Sequence, residues 1–202
     1  MSRTVIFDVG GVLIHWDIRL VYRAMLPDEA AIDAFLAETG WHDWNRDLDR
    51  GGRWDDAVEA LSARFPHHRA LIEASHHRWH DAVPGAIEGT VEILDALHHA
   101  PTPLVAITNF SAEKWRETQD RFPFLKTHFR DVVVSGEEHL VKPDPAIFRL
   151  CLERNGLEPR DCIFIDDLPH NIAAAGALGI DGILFTGADA LRRDLGQRGF
   201  AL

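Results

Sequence analysis

The sequence predicts an α/β fold: a five-stranded parallel sheet with helices on both faces, interrupted after its first strand by an inserted α-helical domain. Three observations predict it. Over residues 84–202, short runs of β-branched and apolar residues alternate with helix-length amphipathic segments. Near the N-terminus, Thr4-Val5-Ile6-Phe7-Asp8-Val9-Gly10-Gly11-Val12-Leu13 runs an unbroken apolar stretch into a carboxylate and two glycines. That is the form of a strand buried on both faces and ending in a sharp turn. Between the two, residues 15–83 show helical spacing and no convincing strand.

Taken in order, the first strand delivers Asp8 to the carboxyl edge, where open α/β sheets bind ligands. From about Ile18 to Ala82 the chain reads as helices. Pro27-Asp28-Glu29 opens one, with Pro at an early position and acids in the first turn. Ile32, Phe35 and Leu36 mark its buried face. Ala57, Val58, Leu61 and Phe65 mark a second helix, and Leu71 and Ile72 begin a third, with Gly51-Gly52 and Pro66 between them. Inserted at this point, residues 15–83 rise above Asp8 in the position of a lid, and residues 1–14 and 84–202 make the core.

Pro84-Gly85 closes the helical block. Helix Glu88–His99 leads to strand Leu104–Thr108 and helix Ala112–Arg121. Strand Asp131–Ser135 precedes helix Pro145–Asn155, which Gly156 ends. Strand Cys162–Asp166 is followed by helix Asn171–Leu178, which Gly179 ends. Strand Gly182–Phe185 and a helix from about Ala188 finish the chain. Strands separated by single helices imply right-handed crossovers and a Rossmann-like sheet.

The 202 residues, 46% hydrophobic and 26% charged, suit a globular core carrying a smaller insertion. A net charge of −11 argues against nucleic acid or an anionic membrane as partner. No apolar run approaches the roughly 20 residues needed to span a bilayer. The N-terminus enters a strand without a charged-then-apolar leader. Cys151 and Cys162 lack metal-type spacing and read as free buried thiols. A cytoplasmic monomer or homodimer is the expectation. Any anionic substrate of so acidic a chain must be met by a metal ion or a well-placed lysine.

The exits of four strands carry such a set: Asp8, then Thr108-Asn109, then Lys142 in Val141-Lys142-Pro143-Asp144, then Asp166-Asp167 with Asn171. Three carboxylates facing one another call for a cation, and hard oxygen ligands call for Mg²⁺. A carboxylate is also a nucleophile able to form an aspartyl-phosphate. The Thr108 hydroxyl, free amides near Asn109 and Lys142 would hold the other phosphoryl oxygens, and Gly10 and Gly11, which let the backbone approach a ligand closely, count among the phosphate-binding residues.

With these motifs in order, the chain resembles the haloacid dehalogenase superfamily, in the branch with a helical cap after the first motif that includes small-molecule phosphatases. The resemblance covers essentially the whole chain. It implies that Asp8 attacks phosphorus and ligates Mg²⁺ together with the Gly10 backbone oxygen. Asp167 would ligate the metal directly, Asp166 directly or through water, and Asn171 would steady that shell. The partner implied is a small-molecule phosphate ester, a sugar phosphate being one candidate. One departure stands out. Most phosphatases of the superfamily carry an Asp two residues after the nucleophile as general acid, and here that position is Gly10. His15 and Asp17 are the nearest ionisable replacements, and a cap residue or water is equally open. The same gap raises two alternatives: a metal-independent 2-haloacid dehalogenase-type hydrolase in which Asp8 attacks carbon, and a catalytically weak binding or regulatory module. The paired Asp166-Asp167 favours metal and phosphate.

In the inserted region, Trp41-His42-Asp43-Trp44-Asn45-Arg46-Asp47-Leu48-Asp49-Arg50-Gly51-Gly52 mixes aromatics with charge. Trp44, Asn45, Arg46 and Arg50 are its candidate substrate contacts, against the plainer expectation that the tryptophans pack the bundle while the charges face water. Phe110 and Trp115 follow the second motif and either line the pocket or belong to the core. Of the 12 histidines, several cluster at His67-His68, His76-His77, His80-Asp81 and His98-His99, without a zinc motif. A solvated face is expected for them.

Overall fold

The computed structural model describes residues 3–202. Strands β1 (Thr4–Phe7), β2 (Leu104–Thr108), β3 (Asp131–Val134), β4 (Cys162–Asp166) and β5 (Asp181–Leu184) form one sheet in the order β3-β2-β1-β4-β5, every neighbouring pair parallel. Between β1 and β2 the chain forms α1 (Arg19–Arg23), α2 (Glu29–Thr39), α3 (Trp41–Asp49), α4 (Trp54–Arg64), α5 (Arg69–His77) and α6 (Glu88–His99). Later crossovers carry α7 (Ala112–Arg121) and α8 (Phe124–Thr127), then α9 (Ser135–Glu138) and α10 (Pro145–Asn155), then α11 (Pro169–Ala177). Helix α12 (Ala188–Gln197) follows β5.

Strand β1 is central, and the alternation of its side chains divides the core. Ile6, Val105, Ile107 and Phe164 pack with Ile147, Phe148 and Cys151 on one face. Val5, Phe7, Ala106, Ile163 and Ile165 lie on the other, in an apolar cluster that continues into Tyr22, Phe35, Trp41 and Leu61 of the helical insertion. Each fully buried aliphatic side chain contributes roughly 1.5–3 kcal/mol, so this shared core ties the insertion to the sheet domain. Cys151 and Cys162 are free and buried, and burial pushes their thiols up to about 12 and about 11. No helix of the described residues is long and apolar enough to cross a membrane.

Several boundaries differ from the sequence expectation for local reasons. Strand β3 stops at Val134 because Ser135 starts α9, and β5 begins one residue earlier than expected. Pro169 takes the first turn of α11, so that helix starts before Asn171. Pro27 precedes α2 rather than entering it, and Asp28 is the cap, accepting from the Ala31 N–H at 2.8 Å.

The main addition is α3, which lies inside the block expected to be helical but in a stretch to which the sequence assigns no helix bounds. Gly40, at φ +65°, ends α2 and lets α3 start at the next residue. Trp41 and Leu48 are then buried inward, and the Trp41 indole N–H donates to Ser75 Oγ at 3.3 Å. Ser75 Oγ also lies 2.8 Å from the Tyr22 hydroxyl. The insertion is joined to the core where Trp54 Nε1 donates to Ser111 Oγ at 2.8 Å, the same hydroxyl that caps α7.

Candidate active site

The strand order places β1 beside β4 at the switch point, and the Asp8 N–H continues the ladder by donating to the Ile165 carbonyl at 2.8 Å. Asp8 and Asp166 therefore leave adjacent strands side by side. Lys142 Nζ bridges them, 2.8 Å from Asp8 Oδ1 and 2.7 Å from Asp166 Oδ2. All three side chains are buried. Asp166 is fixed from several directions, since Asn171 Nδ2 donates to both its oxygens at 2.9 and 3.0 Å and the Leu168 N–H donates to Oδ1 at 2.9 Å. Asp167 is only half-buried. Its oxygens, those of Asp8 and those of Asp166 include a set lying within 4.8 Å of one another.

This cluster carries three carboxylates against one ammonium. Burial is the main force pushing the Asp8 carboxyl up, to about 8; Lys142 opposes it and Asp166 adds to it. Burial also raises Asp167, again with Asp166 adding to the effect. Burial alone would lower Lys142, but the two carboxylates hold its ammonium above the ordinary lysine range. The donor set fits a hard divalent cation, which would balance the excess negative charge. A second observation agrees: Asn171 Oδ1 is buried at this cavity without a hydrogen-bond partner, an acceptor that a cation-bound water would satisfy.

The cavity above the cluster has a volume of about 290 Å³. Its floor includes Asp8, Gly10, Gly11, Asn109, Lys142, Asp167 and Asn171, and its walls include Trp16, Asn45, Asp49, Trp79, Phe110 and Leu168. Gly11 is required here twice over. Its φ is +76°, and a Cβ would lie 2.4 Å from Asp167 Oδ2. Gly11→Ala is expected to cost about 1–3 kcal/mol of stability and to weaken Mg²⁺ binding by displacing Asp167. Paired melting curves with and without Mg²⁺ check both effects.

Several expected roles change in detail. The Gly11 N–H donates to the Ile14 carbonyl at 2.9 Å, so it is not a free donor. Thr108 is buried at the end of β2, outside the cavity lining. Asn109 lines the cavity, yet its side chain is tied to the Lys142 main chain, accepting from its N–H at 2.8 Å and donating to its carbonyl at 3.0 Å. It acts as a clamp on the lysine loop. His15 is exposed, while Asp17 accepts from the Arg19 N–H and pairs with Arg23, and neither lines the cavity.

The four candidate contacts of the insertion also divide. Helix α3 turns Asn45 and Asp49, one turn apart, toward the cavity. Arg46 and Arg50, each one residue further on, point to solvent and pair with Asp43 and Asp47. Trp44 lines a separate groove of about 190 Å³. Phe110 lines the cavity whereas Trp115 packs in the core, and no histidine among the described residues lines it. Trp16, Asp49 and Trp79 are wall residues that sequence reasoning misses. The spacing of Trp41, Trp44, Asn45 and Leu48 is the one signal that places Asp49 on a helix face.

The raised Asp8 carboxyl sets the sign of a pH effect. In the folded, metal-free protein it keeps its proton up to about 8, whereas an unfolded aspartate releases it near about 3.9. Its contribution to stability is therefore present at the acid end and is lost as pH rises through 8. Mg²⁺ is expected to raise Tm more at about pH 8 than at about pH 6, where it must displace that proton. Equal shifts at the two pH values would contradict this.

Comparison with known proteins agrees with the geometry. The chain is 48% identical over 203 residues to acyl-CoA dehydrogenase family member 10 of Mus musculus, covering 90% of this chain and 18% of that protein. It is 45% identical over 113 residues to flavin mononucleotide hydrolase 1 of Arabidopsis thaliana, covering 56% of this chain and 45% of that protein. It thus matches less than half the length of either relative. A crystal structure of a family enzyme from Bacteroides thetaiotaomicron, in complex with magnesium and inorganic phosphate, has the same fold. The TM-score is 0.74 at 20% identity, over 93% of this chain and 96% of that one. The family model for haloacid dehalogenase-like hydrolases matches residues 2–179, and the chain belongs to that family.

Proposed function

We propose that the chain is a Mg²⁺-dependent phosphatase that hydrolyses a small phosphate monoester through an aspartyl-phosphate on Asp8. The observation that carries this reading is the convergence of Asp8, Asp166 and Asp167 on one cavity floor with Lys142 between the first two. The hydrolase named for flavin mononucleotide among its relatives and the magnesium and phosphate held by the Bacteroides protein support it. Asp8, Asp167, Asp166 and the Gly10 backbone oxygen would hold the cation, with Asn171 beside them. Bound Mg²⁺ would supply charge that draws the phosphoryl group onto the floor and keeps Asp8 ionised.

In this reading Asp8 attacks phosphorus as the ester bond breaks, and water then attacks the aspartyl-phosphate to release phosphate. Lys142, held by the Asn109 clamp, stabilises the transferring phosphoryl oxygens. Residues 15–83 serve as the cap, contributing Trp16, Asn45, Asp49 and Trp79 to the walls and limiting the access of bulk water. The cavity volume and the aromatic walls suit a small leaving group with a ring or a carbon face, as in a sugar phosphate. The buried free thiols suit a reducing compartment such as the cytoplasm.

A panel of aryl, alkyl and sugar phosphates, assayed with Mg²⁺ and with chelator, tests the proposal. Metal-dependent phosphate release is expected. Halide release from 2-haloacids without metal would instead establish the dehalogenase, and silence on both would leave a binding module.

A further inference from the structure

We infer that Asp49 of the cap is the general acid of this site, supplying from above the proton donor that Gly10 lacks below. The inference rests on the phosphatase reading and extends it to a residue on a separate element. Asp49 lines the same cavity as Asp8, Gly10 and Lys142. At the end of α3 its carboxyl is free of any ion pair among the described residues, since Arg46 and Arg50 pair elsewhere. Its side-chain partner is Asn45 Nδ2, at a loose 3.2 Å, and Asn45 Oδ1 is buried without a partner. An amide in that position serves both forms of the acid. It donates to the carboxylate as it stands and, turned over, accepts from the protonated group.

The environment favours a carboxyl that holds a proton near neutrality. Burial pushes Asp49 up to about 7, against the opposing pull of the Ser111 main chain and of Arg46. A general acid works best close to the operating pH. The described residues of the site also offer no competitor: Asp8, Asp166 and Asp167 belong to the cation cluster, Lys142 is paired, and His15 and Asp17 lie outside the cavity.

As an Asp8 oxygen forms its bond to phosphorus and the ester P–O bond breaks, the Asp49 O–H gives its proton to the leaving oxygen. The alcohol departs neutral and Asp49 is left as carboxylate. That carboxylate then takes a proton from the water that attacks the aspartyl-phosphate, so phosphate leaves, Asp8 is regenerated and Asp49 is protonated again.

Leaving-group dependence tests this. A nitrophenolate departs without a proton, whereas an alkoxide needs one. With Mg²⁺ present, Asp49→Asn should lower kcat/KM for the best alkyl phosphate of the panel by about 10²-fold or more, and for p-nitrophenyl phosphate by only about 5-fold or less. The Mg²⁺-induced rise in Tm should match wild type, showing the floor intact. A Cβ at Gly10 would meet only Trp16 Cβ, at 4.0 Å. Gly10→Asp combined with Asp49→Asn therefore has room to restore alkyl-phosphate turnover. Equal losses on both esters, or no loss on either, would overturn the assignment while leaving the phosphatase reading intact. A wild-type protein that cleaves the aryl ester but no alkyl ester would overturn it as well. A wild-type protein with no metal-dependent turnover of any ester would sink the parent reading instead.

Discussion

Replacing Asp8 with Asn is expected to lower phosphate release by about 10⁴-fold or more, with the protein still folded. The substitution preserves the side-chain shape, and an amide oxygen at that place still accepts from the Val9 N–H, which lies 2.6 Å from Asp8 Oδ1. What disappears is the attacking oxygen and one negative charge. Burial already disfavours that charge in the metal-free site, so the variant should melt no lower than wild type in chelator. Its stabilisation by Mg²⁺ should shrink, because one carboxylate of the cluster is gone. Loss of activity with a lower metal-free Tm would instead mean that Asp8 is chiefly structural.

Lys142→Met is expected to have the largest effect on stability. The ammonium is buried against the Asp166 carboxylate and the Asp8 carboxyl, and among the described residues it is the one basic group within ion-pair distance of either. Removing one partner of a buried charge cluster costs about 3–5 kcal/mol, which for a chain of this size is a Tm lower by roughly 10 °C. Methionine fills much of the space left by the lysine stem, so the loss reports charge more than volume. Mg²⁺ should recover part of the stability. Turnover should remain down by about 10²–10³-fold, because the phosphoryl oxygens lose their ammonium. A variant that melts with wild type in chelator would show that Asp166, like Asp8, is neutral without help.

The sheet was legible in the sequence because parallel strands buried on both faces leave continuous apolar runs, as at Val5-Ile6-Phe7 and Ile163-Phe164-Ile165. Strand exits in such a fold converge, so Asp8, Lys142 and Asp166 could be brought together before any coordinates. The Asn109 clamp was not legible, since it depends on where the backbone of a loop 33 positions away passes. The bounds and buried face of helix α3 were obscured by its polar composition: residues 41–50, with two tryptophans, two arginines and three aspartates, bury only Trp41, Asn45 and Leu48. That concealed the rotation that sends Asn45 and Asp49 to the cavity and both arginines to water. Trp16 and Trp79 flank the insertion at its two ends, and only tertiary packing shows that they meet at one cavity.

The covalent intermediate is the most direct test of the central claim. Protein mixed with a ³²P-labelled phosphomonoester that it turns over, in the presence of Mg²⁺, is quenched in acid within a single turnover and digested, and the labelled peptide is sequenced. The mechanism predicts acid-stable, base-labile label on the peptide carrying Asp8, absent when chelator replaces Mg²⁺ and absent in Asp8→Asn. Label on a different residue, or phosphate release that persists undiminished in Asp8→Asn, would contradict it.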